Sequence, residues 1–366
     1  MKNTGADKGL LVLIISLLIF GLIILYSASS VMSIDVSGNP YYYFLHQALF
    51  GLLPGILIFF ICQKLDYKIW KKFSLLIFIG SLALMVLVFV PGMGMGHGGA
   101  QRWLNLKFTY IQPAEFLKLG VIIYLAAIFS KKDVHKKQGP ANLILFLGII
   151  AVAGGLVAMQ TDAGTLALIV IAGFIIYFVS GGSLAHLGVI ILVYGAAFFA
   201  LVKFFPHRIA RFITFFNPSF DPQGISYQIN QALLGIGSGG ILGLGLGNGM
   251  QKHNYLPEPM GDSIFAIAAE EIGFIGVLIF IGLLVALIIK GLRIAKKAPD
   301  DFAKLMAIGI VSWVAFQALI NVAAITKLIP LTGIPLPFVS YGGSSLISIM
   351  AGLGILANIS KHKSNI

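Results

Sequence analysis

The sequence predicts an all-α integral membrane protein, a polytopic bundle of ten transmembrane helices with one long extracytoplasmic loop between helices 7 and 8. A single membrane domain is expected over residues 1–366, with 206–262 as the large loop inside it. Three observations carry this prediction. Hydrophobic residues make up 58% of the chain and charged residues only 10%, where soluble domains carry about 25% charged residues. Apolar runs of roughly 17 to 23 residues recur, the length a helix needs to cross a bilayer. Alternating segments of about ten residues, the mark of membrane strands, are absent.

The first run, 9–27, lacks a small-residue cleavage pattern and precedes nine others, so it reads as a retained span. The next spans are 44–62, 73–90 and 113–130, the last opening on Pro113, which suits the first turn of a helix. Spans at 141–159 and 164–180 flank a tight turn, "QTDAG", where capping the following helix is the default role of Asp162. A span at 184–205 then leads into the long connection, whose length is that of a functional or disordered loop. Its many apolar residues argue for order. Within it Ile225, Ile229, Leu233 and Ile236 recur at helical spacing, predicting an amphipathic helix along the membrane surface. Eight glycines follow in the fifteen residues 235–249. The GxGxxG match at Gly235, Gly237 and Gly240 has no preceding strand, so a dinucleotide site is not supported, and close backbone approach remains. Spans at 263–289, 302–326 and 338–359 complete the ten. Pro330, Pro335, Pro337, Gly342 and Gly343 break the chain before the last one, as is tolerated where backbone lines a cavity.

Lys and Arg in alternate loops orient the bundle. One side holds Lys2, Lys8, Lys64, Lys68, Lys71, Lys72, Lys131, Lys132, Lys136, Lys137, Lys290, Arg293, Lys296, Lys297, Lys304, Lys361 and Lys363, which is 17 of the 25. The other side holds Arg102, Lys107, Lys203, Arg208, Arg211, Lys252 and Lys327, while Lys118 falls within a span. The richer side is therefore expected to be cytoplasmic, with both termini there. The formal net charge of +12 is then a topology signal and needs no nucleic acid partner. Cys62 is the only cysteine, so an intrachain disulfide is excluded, and the seven histidines show no zinc-ligand spacing.

Acidic residues are scarce, yet four of the thirteen lie in 256–276: Glu258, Asp262, Glu270 and Glu271. Asp262 falls where an N-cap belongs, so it reads as a cap or as a carboxylate facing an outer cavity, poised as base or cation ligand. Phe265 at the third helical position provides no capping box. Glu270 and Glu271 are expected to find partners in the bundle. Glu115 and Lys118, three apart, can pair in the outer part of the fourth span. With Arg102 and Trp103 just before them, they could instead form a cationic, aromatic mouth for an anionic headgroup. Arg208 and Arg211 read as a surface anchor or a phosphate clamp.

Several stretches together resemble the SEDS family (shape, elongation, division and sporulation), the FtsW- and RodA-like cell-wall glycan polymerases. They are "YSAS" (26–29), "AQRWL" (100–104), "QPAEFLKL" (112–119), "QTDAGT" (160–165), "FNP" (216–218), "GLGLGNGMQK" (243–252), "YLPEPMGDSIFAIAAEEIGFIG" (255–276) and "GIPLPFVSYGGSS" (333–345). The first and sixth lean towards the division type. The likeness spans nearly the whole chain. It departs at Ala114, where many members have Ser. Met260 and Gly261 replace His-Thr, Ser263 replaces Phe, and Thr332 stands where some division-type members have Lys.

The resemblance implies polymerisation of lipid II and release of undecaprenyl diphosphate at the extracytoplasmic face of the bacterial inner membrane. It also implies a divalent cation (Mg2+ or Mn2+), no organic cofactor, a class B penicillin-binding protein as transpeptidase partner, and other division or elongation proteins. The family's essential carboxylate falls on Asp262, expected to be the base and a cation ligand. Substrate contacts are expected from Arg102, Trp103, Gln112, Glu115, Lys118, Arg208, Arg211, Lys252, Glu258, Ser340 and Tyr341. Rival readings are a lipid II flippase that uses Glu115, Lys118 and Glu270 as its pathway, and a non-catalytic division scaffold.

Overall fold

The computed structural model describes residues 5–97, 100–107, 109–131, 140–183, 185–204, 213–217 and 224–362. Ten long helices follow the ten predicted spans: α1 (Lys8–Ser37), α2 (Tyr42–Lys64, with a π-helical turn at Ala48–Leu52), α4 (Ser74–Leu87) after the short α3 (Tyr67–Lys72), α5 (Pro113–Phe129), α6 (Pro140–Met159), α7 (Ala163–Val179), α8 (Ala185–Phe204), α10 (Ile264–Lys296), α11 (Asp301–Ile325) and α12 (Gly343–Ile359). Helix α9 (Ile225–Ser238) lies in the long loop. By length and composition α1, α2, α6, α10 and α11 can each cross a membrane, and α4, α7, α12 and part of α8 are shorter apolar helices.

Three elements differ from expectation. Helix α1 continues past residue 27 to Ser37, because nothing breaks it before Gly38, whose φ of 70° ends the helix with its N–H on Ile34 O. A small antiparallel sheet, β1 (Gly94–His97), β2 (Ala100–Asn105) and β3 (Tyr110–Ile111), precedes α5 where no strand was expected. Helix α9 turns a different stripe inward: Ser226, Ile229, Ala232, Gly235 and Gly239 are buried, and Leu233 is exposed. Small residues win that face because α10 comes close; a Cβ on Gly239 would lie 2.1 Å from Ala269 O.

The first and last described segments meet at one end of the bundle. The Asp7 carboxylate caps α1 by accepting from Leu10 N (3.2 Å), and Asp7 N donates to Ser360 Oγ after α12 (3.0 Å). Burial alone would raise the Asp7 carboxyl, but the Lys290 ammonium 2.9 Å away and the Leu10 N–H outweigh it and hold it below the usual carboxylate range. At the same end, Tyr67 of α3 donates its backbone N–H to Asn358 Oδ1 (3.0 Å) and its hydroxyl to Asp300 Oδ2 (2.7 Å).

Helix α10 is broken at Gly273, whose φ of 65° and ψ of −172° leave the helical region. The break frees backbone groups on both sides, and in hydrocarbon each unpaired group costs several kcal/mol. The glycine-rich segment after α9 fills it. Leu244 N and Gly245 N donate to Glu270 O and Glu271 O, each at 3.0 Å, while Phe274 N and Ile275 N donate to Gly240 O (2.9 Å) and Ile241 O (3.2 Å). Approach this close excludes side chains: a Cβ on Gly273 would stand 2.2 Å from Gly243 N, and one on Gly243 (φ 84°) 2.2 Å from Glu271 O.

The two buried glutamates lock the same junction. Glu270 accepts from Met250 N (2.8 Å) and Gln251 N (3.1 Å). Glu271 Oε1 accepts from Lys252 Nζ and from Ser27 Oγ of α1, both at 2.7 Å, and Lys252 Nζ also donates to Ser27 Oγ (2.9 Å). One ion pair thus ties the loop, the broken helix and α1 together, as expected of glutamates that partner within the bundle.

Four variants test this junction in thermal melting of the detergent-purified protein. Gly243→Ala lowers stability by about 2–3 kcal/mol through its left-handed backbone and blocked Cβ. Gly237→Ala, in the last turn of α9 with open space around it, instead stabilises by up to about 0.5 kcal/mol. Lys252→Met strands the Glu271 carboxylate at a loss on the order of 3–5 kcal/mol. The double variant Lys252→Met/Glu271→Gln recovers most of that loss; equal melting of single and double variants would contradict the assignment.

Candidate active site

At the end opposite the termini, residues 255–263 meet α9, α11 and the segment 326–342. Helix α10 opens with Ser263 as its N-cap, which makes no side-chain capping bond. The helix starts one residue after Asp262, and the Asp262 carboxylate turns towards α9. There Gln228 Nε2 donates to Asp262 Oδ1 (3.3 Å) and to Ser263 Oγ (2.9 Å).

The backbone beneath Asp262 is clamped at three successive carbonyls. Met260 O accepts from Tyr341 N (2.8 Å), Gly261 O from Ser340 Oγ (2.7 Å), and Asp262 O from Asn321 Nδ2 (2.8 Å). The same Asn321 amide reaches Ile334 O (2.7 Å), and Ser340 Oγ accepts from Leu336 N (2.7 Å), so α11 and the proline-broken segment fix the turn together. Asp262 is half-buried, and Gly333 approaches it closely enough that a Cβ would lie 3.9 Å from Oδ2. Glu258 is exposed at the rim, with a left-handed φ of 50°. The Tyr341 hydroxyl is hydrogen-bonded to His46 Nδ1 (2.7 Å), and its ring meets Tyr43 edge-on at 5.4 Å.

The expected cations are placed differently. Lys118 and Glu115 pair at 2.8 Å but are only 2% and 1% exposed. Lys118 also donates to Gln317 Oε1 (2.8 Å) and stands 5.1 Å from the Trp313 ring, while Gln317 Nε2 donates to Pro335 O (3.1 Å). The pair thus braces α5, α11 and the broken segment from within and presents no open cationic mouth. Lys252 is enclosed on Glu271. Arg102, in β2 beside the half-buried Trp103, donates Nε to Gln160 O (3.2 Å) and Nη2 to Thr161 O (2.7 Å), holding the α6–α7 turn. Beyond that turn Asp162 caps α7 by accepting from Thr165 N (3.0 Å) and Thr165 Oγ1 (2.8 Å). Gln112 stands at the N-cap position of α5 without a side-chain capping bond, and its N–H donates to Ser344 Oγ (2.9 Å). Arg208 and Arg211 lie outside the described residues.

The structure brings Ser340 and Tyr341 to Asp262 as partners of its backbone, and keeps Arg102, Gln112, Glu115, Lys118 and Lys252 in separate contacts. Gln228 and Asn321 at the aspartate, and Gln317 behind it, were not read from the sequence as site residues. Gln317 and Asn321, four apart in an apolar span, carry the signal that could have found them: buried amides seek partners inside the bundle. Among the described residues no three His, Cys, Asp or Glu side chains converge as a metal cage.

Residues 8–365 match the family described as cell cycle protein, which joins FtsW, RodA and SpoVE. Stage V sporulation protein E of Bacillus subtilis is 39% identical, over 99% of this chain and 98% of that protein. The probable peptidoglycan glycosyltransferase FtsW of Trichlorobacter lovleyi is 36% identical over 97% of this chain and 93% of its own length. Among solved structures, a chain of a peptidoglycan synthase complex that coordinates polymerisation and crosslinking superposes with a TM-score of 0.78 at 25% identity, covering 97% of each chain. The rod shape determining protein RodA of Thermus thermophilus gives 0.72 at 26% identity, over 99% of this chain and 98% of that one. A match along almost every residue, in both sequence and fold, makes this chain a member of the FtsW/RodA/SpoVE family of membrane proteins.

Proposed function

We propose that this protein is a peptidoglycan glycan-strand polymerase that transfers the growing lipid-linked glycan onto the GlcNAc 4-hydroxyl of lipid II. One observation carries the reading: a half-buried carboxylate, Asp262, stands on a turn clamped at three consecutive carbonyls, in a chain that matches named peptidoglycan glycosyltransferases end to end. Asp262 takes the proton from the acceptor 4-hydroxyl while that oxygen attacks C1 of the donor MurNAc. The C1–O bond to the diphosphate breaks with inversion, and undecaprenyl diphosphate departs. Diphosphate is already a good leaving group, so a single positioned base suffices. Gln228 orients the carboxylate, and Ser340, Tyr341 and Asn321 hold its backbone in register.

A divalent cation, Mg2+ or Mn2+, fits this donor set in one way. Mg2+ commonly takes one or two carboxylates and completes its shell with water and substrate phosphates, so Asp262 is the residue that would hold it. Its chemistry there is to neutralise diphosphate charge. The clamp on Asp262 lies at the end away from the termini. With 17 of 25 basic residues counted on the terminal side, that side is cytoplasmic and Asp262 faces outwards. A class B penicillin-binding protein is the proposed transpeptidase partner, in keeping with the synthase complex among the structural relatives. The flippase reading is not favoured by the geometry, because Glu115, Lys118 and Glu270 are each enclosed and hydrogen-bonded.

Polymerisation of fluorescent lipid II by purified protein, alone and with a co-purified partner, provides the test. Asp262→Asn and Asp262→Ala are expected to lose about 10²–10⁴-fold in rate while melting like the parent. EDTA is expected to stop turnover, and added Mg2+ or Mn2+ to restore it. Parental rates from either correctly folded Asp262 variant would overturn the assignment.

A further inference from the structure

At the end that carries both termini, the start of α1 and the last turns of α10 and α12 enclose a cavity of about 170 Å³. Its polar lining includes Asp7, Lys290, Arg293, Lys297 and His362. Lys290 and Arg293 of α10 and Lys297 at its C-cap are spaced three and four residues apart, which sets them on one side of the helix end. Lys290 is committed to Asp7 at 2.9 Å. Arg293 and Lys297 are exposed, and among the described residues neither side chain has an ion-pair or hydrogen-bond partner. Two positive charges are therefore uncompensated at the mouth.

Basic residues in the last turn of a helix offset its dipole and mark the cytoplasmic side. Those roles account for their presence in that turn, but not for their convergence on a cavity. The buried side chains of Ile294 and Ile359 form the apolar part of the wall, and the cavity lies where α10 leaves its apolar run. A guanidinium fork and an ammonium over an apolar wall suit a phosphodiester whose remainder is hydrocarbon. Basic pockets between helices at this boundary are a known form of lipid headgroup site.

We propose that this cavity binds the phosphate headgroup of an anionic phospholipid, with Arg293 and Lys297 as its ligands. The bound lipid bridges α1 and α10 at the end opposite the Ser27–Glu271 contact. The site lies at the other end of the bundle from Asp262 and stands whether or not Asp262 is the base.

The test uses the full chain in neutral detergent, with retained lipid counted by native mass spectrometry during titration with phosphatidylglycerol, cardiolipin or phosphatidylcholine. Wild type is expected to retain the two anionic lipids and not phosphatidylcholine. The double variant Arg293→Gln/Lys297→Gln is expected to bind them roughly thirtyfold more weakly, the contribution of two basic residues near a membrane surface. Lys64→Gln/Lys68→Gln removes equal charge from the same end, away from the cavity, and is expected to bind as wild type. Equal weakening of both pairs, or equal retention of phosphatidylcholine, would overturn the site. Displacement of the lipid by millimolar inorganic phosphate would assign it to a soluble phosphate and overturn the lipid reading.

Discussion

Backbone polarity in a medium without water is the constraint on which this structure turns. A helix that crosses a membrane satisfies its own amides, and a helix that breaks inside one must be completed by something else. Helix α10 breaks at Gly273, and its freed amides and carbonyls are taken up by the backbone of 240–245. Glycines at 239, 243 and 273 allow that contact because any side chain there would collide with backbone. Residues 239–245 of the long loop thus complete α10 as well as belonging to the connection between spans seven and eight.

Completion of α10 also sets the chain that leads into it. Glu270 and Glu271 anchor 250–252 through two backbone amides and the Lys252 ammonium. From that anchor the chain runs through the two prolines to Asp262, whose carbonyl neighbours are gripped by Asn321, Ser340 and Tyr341. The carboxylate is therefore positioned by backbone contacts to two other elements, with Gln228 as a lateral support. Such indirect support fixes where the carboxylate stands. The enclosed Glu115–Lys118 pair extends the same bracing through Gln317 to Pro335.

The ten helices were legible because apolar run length is a local property. So was the strangeness of 256–276, since carboxylates in an apolar chain are few and stand out. Partnership was legible only at short range, as in the Glu115–Lys118 pair. Lys118, Lys252 and Arg102 looked available to a substrate because nothing in their own neighbourhoods reveals Gln317, Ser27 or the carbonyls of residues 160 and 161. Those contacts span 58 to 225 residues. The α9 stripe was misjudged for a related reason: apolar spacing picked out Leu233, whereas the approach of α10 rewards small residues. For Asp262 the sequence left a cap and a cavity-facing carboxylate both open, and its contact with Gln228, 34 residues away, was not legible.

The Ser27–Glu271 hydrogen bond joins residues 244 positions apart, and this has a consequence for biogenesis. Helix α1 leaves the ribosome well before its partner in α10, which is made 244 residues later. At about 5–20 residues per second, the inner face of α1 waits on the order of tens of seconds for its lock. During that interval the hydroxyl can bond back to its own helix, and lipid or the insertion machinery must occupy the face that α10 later takes. A nascent chain stalled before Glu271 would carry every helix up to α9 and still lack the residue that fastens the first of them.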